Sequence, residues 1–171
     1  GATVGGDVKI SASAPGTVVE LFPQIAVAPA QDLVYVTWQE FVSGRNDDSG
    51  RIMLARFDLA GTKLGPDVRV DSGGDGHGKW TPQVVADPSG DPTVVWIDER
   101  DPGPDDVQFE HVYFAHSSDL GQTFRPSARL DDVGVRRGVV PDPLAVKLDN
   151  RWRPSVAVRN RRLFVAWADF R

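Results

Sequence analysis

Short apolar runs alternate along this chain with polar breaks that are rich in glycine, proline and aspartate. The runs are rich in Val, Ile, Phe and Trp, as in LVYVTW, RIMLARF, PTVVW, HVYFAH and RLFVAW. Apolar runs of about four to eight residues bounded by turn residues are typical of β-strands. Since no stretch sustains the 3.6-residue period of an amphipathic helix, the pattern predicts an all-β chain.

One unit of this pattern recurs three times. A proline followed by a short apolar strand opens each copy, at Pro23, Pro82 and Pro154, and a tryptophan ends a second strand 13 to 15 residues later, at Trp38, Trp96 and Trp167. Residues 55–70 also align with residues 115–130 without a gap. The repeat predicts antiparallel units of four strands, which we label A to D.

Repeated four-stranded units predict a β-propeller, in which such units are blades that pack radially. Residues 1–22 hold an outer strand left over from a preceding blade and a loop, 23–81 the first blade, 82–153 the second, and 154–171 two strands of a third. A closed propeller usually needs about four to eight blades. We therefore expect these two and a half blades to be completed by further blades from the same or another chain. The alternative is a pair of stacked sheets made from the same strands.

The stretch SSDLGQTF carries a recognisable motif. Its defining positions are Ser117, Asp119, Gly121, Thr123 and Phe124. They match the Asp box, Ser-x-Asp-x-Gly-x-Thr-(Trp/Phe), and the chain thereby resembles the sialidase-like (BNR-repeat) propeller superfamily, which carries this motif at the C-to-D hairpin. Serine and aspartate side chains bond nearby backbone groups and glycine permits a positive φ, so the spacing favours a structural turn.

A candidate ligand-binding face follows from strand direction. In an antiparallel unit the B-to-C and D-to-A loops lie at the same end, and polar and aromatic residues collect in them. They are Glu40, His77, Trp80, Asp98, Glu99, Arg100, Arg151, Arg153, Asp169 and Arg171. Carboxylates, guanidinium groups and tryptophans suit a glycan or another anionic ligand. The recurrence of an acidic residue and an arginine after strand B favours structural pairing instead.

The resemblance also implies what an enzyme of this type needs: three arginines, a tyrosine nucleophile assisted by a glutamate, and an aspartate acid/base. The positions matching the first arginine are Leu21, Trp80 and Trp152, and Tyr35 and Tyr113 lie inside predicted strands. The weak catalytic candidates are Asp98 as acid/base, with Arg100 and Arg171. We expect a non-catalytic module for binding or scaffolding with a glycan or protein partner, extracytoplasmic by resemblance. The alternatives are a glycoside hydrolase of the exo-sialidase type and a structural subunit of a larger assembly.

Composition narrows the choice further. The 171 residues are 40% apolar and 25% charged, which fits one globular domain, and a net charge of −5 without a large basic cluster argues against a nucleic-acid partner. No apolar run approaches the roughly 20 residues of a membrane span. The absence of cysteine excludes disulfides and thiolate metal sites. The loops NDDSG and DSGGDG offer oxygen ligands of the kind calcium uses, but they lack a full loop signature, so we predict no metal or cofactor.

Overall fold

A computed structural model describes residues 7–42, 50–74, 76–101, 109–131, 135–136, 153–160 and 162–168. Within these ranges the regular structure consists of β-strands and one 3₁₀ turn at Pro29–Gln31, so the all-β prediction is confirmed.

Two sheets repeat the predicted unit. Sheet 1 contains β1 (Val18–Ala28), β2 (Leu33–Val42), β3 (Arg51–Phe57) and β4 (Val68–Arg69), paired antiparallel in chain order. Sheet 2 contains β5 (Lys79–Ala86), β6 (Pro92–Asp98), β7 (Phe109–His116) and β8 (Ala128–Arg129) in the same order, and β9 (Val135–Arg136) pairs with the start of β7. A hairpin of β10 (Ser155–Arg159) and β11 (Arg162–Ala166) supplies the first two strands of the third unit.

The repeat extends to a backbone irregularity in strand A. The register of β1 against β2 shifts between Leu21 and Gln24, and that of β5 against β6 shifts between Trp80 and Gln83. Phe22 (φ 54°) and Thr81 (φ 47°) lie in the left-handed region, which residues other than glycine rarely adopt. Each directly precedes the proline of its unit, so both strands bend at equivalent residues.

The sheets and the hairpin stack as three layers in chain order. One core cluster fills the space between sheets 1 and 2, and includes Tyr35, Ile52, Leu54, Val70, Val84, Val94, Trp96 and Tyr113. Another joins Val95, Ile97 and Val112 of sheet 2 to Val156, Leu163 and Val165 of the hairpin. Sheet 2 is therefore packed on both faces.

Successive layers have the same orientation along the stack. Trp38 lies on the face of sheet 1 that points away from sheet 2, whereas the equivalent Trp96 lies between the two sheets. Side chains alternate between the faces of a strand, so the units are related head to tail and not face to face. The described strands form stacked sheets and not a closed ring, so the propeller itself stays a prediction.

The N-terminal residues lie on the far face of sheet 1. Residues 8–11, predicted as a leftover outer strand, are not assigned to a strand. Ile10 nevertheless packs against Val36, Trp38 and their neighbours, and its carbonyl accepts a hydrogen bond from Lys63 Nζ at 2.6 Å. Ile10 thus covers this face of sheet 1 as Val70, the equivalent residue sixty positions later, covers sheet 2.

Candidate functional site

Five charged residues meet between sheets 1 and 2 at the end that carries the B-to-C and D-to-A loops. We call them the interface charge cluster: Arg69, Asp71, Lys79, Asp98 and Arg100. Arg69 ends β4, while Lys79 opens β5 and pairs in register with Asp98 at the end of β6. The ends of three strands thereby bring opposite charges together in a desolvated place.

Lys79 is the centre of this cluster and is fully buried. Its Nζ donates to the carbonyl oxygens of Gly50, Gly74 and His77 at 3.0, 2.7 and 3.3 Å, and lies 3.6 Å from Asp71 Oδ1. Burial lowers the pKa of Lys79, and the nearby carboxylates oppose that shift. The side chain thus joins sheet 1 to the loop that leads into sheet 2.

Asp71 completes the connection from the side of sheet 1. Its Oδ1 lies 2.9 Å from Arg69 Nη2, and its Oδ2 accepts a hydrogen bond of 3.0 Å from the backbone N–H of Ile52. Arg69 Nη2 also donates to the carbonyl of Gly74 at 2.8 Å. Both carboxylate oxygens are therefore used to hold strands and a loop in place.

Asp98, the acid/base candidate, is fully buried and engaged in the same way. Its Oδ2 accepts from Trp96 Nε1 at 2.9 Å, its Oδ1 accepts from the backbone N–H of Arg100 at 3.0 Å, and the Arg100 guanidinium pairs with it. Arg100 in turn donates to Ser127 Oγ at 2.9 Å and lies 4.2 Å from the centre of the Tyr113 ring. These contacts favour a structural role for both candidates.

The two tyrosines have surroundings that do not suit a nucleophile. Tyr35 donates its hydroxyl to the carbonyl of Gly90 at 2.7 Å, and burial, helped by Asp91, raises its pKa to about 12. Tyr113 donates to Asp101 Oδ2 at 2.6 Å, and burial together with this bond raises its pKa as well. An attacking phenolate needs a lowered pKa, so this environment opposes such a role.

The remaining predicted residues are dispersed. Glu40 is buried on the other face of sheet 1, where its Oε2 accepts from Ser13 Oγ at 3.0 Å, so it lies apart from the cluster. The ring of Trp80 packs against Phe41, with centroids 5.4 Å apart. Arg153 lies over the ring of Phe22 at 5.0 Å.

Other members of the predicted face contribute backbone atoms or lie elsewhere. The N–H of Glu99 donates to the carbonyl of Gly78 at 3.0 Å, and His77 supplies its carbonyl to Lys79. Three predicted residues, Arg151, Asp169 and Arg171, lie outside the described residues, as do residues 46–49 and 75 of the acidic loops. Among the described residues of the predicted face, Asp98 and Arg100 thus lie with Lys79 in the interface charge cluster.

The Asp-box turn is held by its own side chains. Ser117 Oγ donates to Asp119 Oδ1 at 2.6 Å and accepts from the N–H of Gly121 at 2.8 Å. Asp119 accepts from the Thr123 N–H at 2.9 Å and from Thr123 Oγ1 at 2.6 Å. Hydrogen bonds from Ser117 and Thr123 lower the pKa of Asp119 to about 2.

The same turn is wedged against sheet 1. Gly121 has a φ of 76°, and a Cβ built on it would lie 3.0 Å from the Tyr35 ring. Phe124 packs against the cluster between the sheets, as Leu64 does from the equivalent turn of the first unit. The motif therefore joins two units as well as two strands.

Sequence reasoning missed Arg69, Asp71 and Lys79, the other members of the interface charge cluster. A signal was present, because the pattern Arg-x-Asp recurs at Arg129 and Asp131. In the structure Arg129 Nε donates to Asp131 Oδ1 at 3.0 Å, and His111 Nδ1 lies 3.2 Å from Asp131 Oδ2. The recurrence indicates a structural device that belongs to the repeat.

Comparisons with protein-family models and with curated proteins give no match for this chain. Among the residues described above, no three His, Asp or Glu side chains group closely enough to hold a metal ion. The same residues include no helix with the length and apolar character that a membrane crossing requires.

Proposed function

We propose that the chain is part of a sialidase-like β-propeller without a catalytic site of its own, a module for scaffolding or binding that further polypeptide completes. The observation that carries this proposal is the head-to-tail stacking of sheet 1, sheet 2 and the hairpin. Repeated units stacked in one direction continue until a ring closes or a different surface ends the series.

The interface charge cluster supports the non-catalytic part of the proposal. Asp98 and Arg100 bond each other and their own unit, and the pKa values of both tyrosines are raised. A catalytic group must instead face a substrate with a free, tuned atom. The Asp-box turn supports the resemblance to the sialidase-like superfamily, since its hydrogen bonds hold a C-to-D hairpin against the neighbouring unit.

Binding of a glycan or a protein partner would use the end of the sheets where Trp80, His77 and Arg153 lie. Trp80 and Arg153 each contact an aromatic ring there. Aromatic and guanidinium groups with one side in solvent suit either partner. An extracytoplasmic location goes with this proposal through the family resemblance.

Two measurements on one preparation test the proposal. Native mass spectrometry should give a particle heavier than the 18.6 kDa chain, and that particle should not hydrolyse a fluorogenic sialoside. A folded particle that stays at 18.6 kDa up to the highest protein concentration measured would overturn completion by further polypeptide. Turnover that the Asp98→Asn variant abolishes, while the circular dichroism spectrum is unchanged, would overturn the non-catalytic part and establish the exo-sialidase alternative.

A further inference from the structure

Equivalent positions of the three units differ sharply in exposure. The residue two places after the proline is Ile25 in the first unit, Val84 in the second and Val156 in the third. Ile25 is 66% exposed, whereas Val84 is 7% exposed because sheet 1 covers it. Val156 is partly buried because sheet 2 covers it.

On the other face of the units, the exposed residue belongs to the third unit and not to the first. The residue three places before the tryptophan is Tyr35, Thr93 and Phe164 in the successive units. Tyr35 is fully buried and Thr93 is 8% exposed, but Phe164 is 57% exposed on the side of the hairpin away from sheet 2. Within the part of the chain that the structure describes, two apolar faces are therefore open: the outer face of sheet 1, with Ile25 and Val27, and the outer face of the hairpin, with Ala157 and Phe164.

The two open faces are equivalent in the repeat to the two faces that pack against each other between sheets 1 and 2. The face of sheet 1 that carries Tyr35 covers Val84, so the hairpin face that carries Phe164 matches the face that carries Ile25. Sheet 2 lies between the two open faces, so the described residues of one copy do not bring these faces together. A second copy can supply this contact at both ends.

From this complementarity we infer that the outer face of the hairpin of one copy packs on the outer face of sheet 1 of a second copy. The inference rests on the proposed function, which requires that the stack be completed. The described residues of each copy contain three A and B strand pairs (β1 and β2, β5 and β6, β10 and β11), so those of two copies contain six. That number falls within the range of about four to eight units that closes a propeller.

The charges beside the turn of the hairpin also favour a second copy as the partner. The Tyr35 hydroxyl bonds the carbonyl of Gly90 across the interface between sheets 1 and 2. The residue equivalent to Tyr35 in the hairpin is Phe164, and the residue equivalent to Gly90 in the first unit is Asp32. Arg159 and Arg162, both exposed, flank the turn of the hairpin, and Asp32 is exposed on sheet 1. Docking Phe164 beside Asp32 therefore brings two arginines towards a carboxylate.

The outer face of sheet 1 also has room that its own N-terminal segment does not fill. A cavity of about 300 Å³ lies between residues 8–11 and β1, with Leu21, Pro23 and Trp38 in its wall. Trp38 Nε1 is buried there and has no hydrogen-bond partner among the described residues, whereas the equivalent Trp96 Nε1 donates to Asp98. An incoming chain can fill this space and offer an acceptor to the indole.

Single cysteines test the contact directly, because the chain contains no cysteine of its own. Ile25→Cys and Phe164→Cys chains are coexpressed and treated with a short bis-maleimide, beside each variant alone. The pair should give a cross-linked dimer, and each variant alone should not, since residue 25 faces residue 164. Leu59→Cys, 51% exposed in the turn after β3, is the matched control and should not cross-link with either variant.

Native mass and polar substitutions complete the test. Ile25→Asp or Phe164→Asp should raise the dissociation constant of the dimer by roughly a hundredfold or more, and Leu59→Asp should not. Self-cross-linking of Ile25→Cys alone, or a particle completed by a different polypeptide, would overturn the inference and leave the proposed function standing. A chain that stays a folded monomer up to the highest protein concentration measured would overturn both.

Discussion

Sheets 1 and 2 have the same strand order and the same backbone bend, yet they are buried differently. All seven residues of β6 in sheet 2 are buried, because sheet 1 and the hairpin cover its two faces. In β1 of sheet 1, by contrast, Ile25 and Val27 are 66% and 50% exposed. In a repeat, burial of a residue is decided by the neighbouring unit more than by its own strand.

Sheets 1 and 2 also differ in the burial of a charged residue at equivalent positions. Lys79 of sheet 2 is fully buried in the interface charge cluster, while Glu20, at the equivalent place three residues before the proline, is exposed. The same place in the fold accepts either charge, but only the buried one needs partners. Substitutions at matched positions should therefore have unequal effects.

The largest difference in the free energy of unfolding between matched substitutions is expected for Tyr35 and Phe164. Tyr35→Ala removes a fully buried ring and its bond to Gly90 and should lower the free energy of unfolding by about 4 kcal/mol. Phe164→Ala, at a ring that is 57% exposed, should cost less than about 1 kcal/mol in the separate chain. Urea unfolding at low protein concentration measures both, and equal losses would contradict the assigned layer order.

The next difference concerns the buried ammonium. Lys79→Ala leaves Asp71 and three carbonyl oxygens without their donor, and should lower the free energy of unfolding by about 3 kcal/mol. Glu20→Ala, the matched control, should change it by less than about 0.5 kcal/mol. Guanidinium chloride would screen the charges, so unfolding in urea is the measurement. A Lys79→Ala protein as stable as the control would show that the cluster is not needed for packing.

A smaller effect is expected in the two C-to-D turns. Asp119→Asn should lower stability at pH 7 by about 1 kcal/mol, allowing for its partial exposure to solvent. Because the folded pKa of Asp119 is lowered to about 2, the stabilisation is present above the unfolded pKa and is lost as the pH falls towards 2. The gap between the variant and the parent should therefore close between about pH 4 and pH 2.

The equivalent turn of the first unit provides the control. Asp58 accepts from the Thr62 N–H at 2.7 Å, which lowers its pKa, but the position that matches Ser117 is occupied by Phe57. Asp58→Asn should have the smaller effect at every pH, as followed by thermal unfolding across the acid range. A larger loss of stability for Asp58→Asn than for Asp119→Asn would show that the complete Asp box does not stabilise its turn more than the incomplete copy does.

The sequence predicted strands and their order because each unit is local. Pro23 and Pro82 mark strand A, and Trp38 and Trp96 lie in strand B, so the sheet order followed from the repeat. Residues 8–11 were predicted as a leftover strand, but they are not assigned as a strand, although Ile10 packs on sheet 1. Strand assignment needs a pairing edge, and a sequence pattern does not reveal whether one is present.

The candidate site was harder to predict, because it depends on contacts between units. Asp98 and Arg100 carry groups that catalysis can use, but whether such a carboxylate faces solvent or is buried beneath the neighbouring sheet cannot be read from its own strand. Recurrence was the better guide, since Arg69 with Asp71 and Arg129 with Asp131 repeat the same ion pair. Arg151, Asp169 and Arg171 repeat Lys79, Asp98 and Arg100 in sequence, which favours structure over catalysis for them as well.

The head-to-tail order of the layers has a consequence for how the protein opens. Each sheet is made of strands that follow one another in the chain, so a unit can form or melt without waiting for distant segments. In the separate chain the described residues cover the hairpin on one side only, so its amides should exchange with solvent before those of β6, which is covered on both sides. Loss of structure should therefore start at the ends of the stack and move inward, one layer at a time.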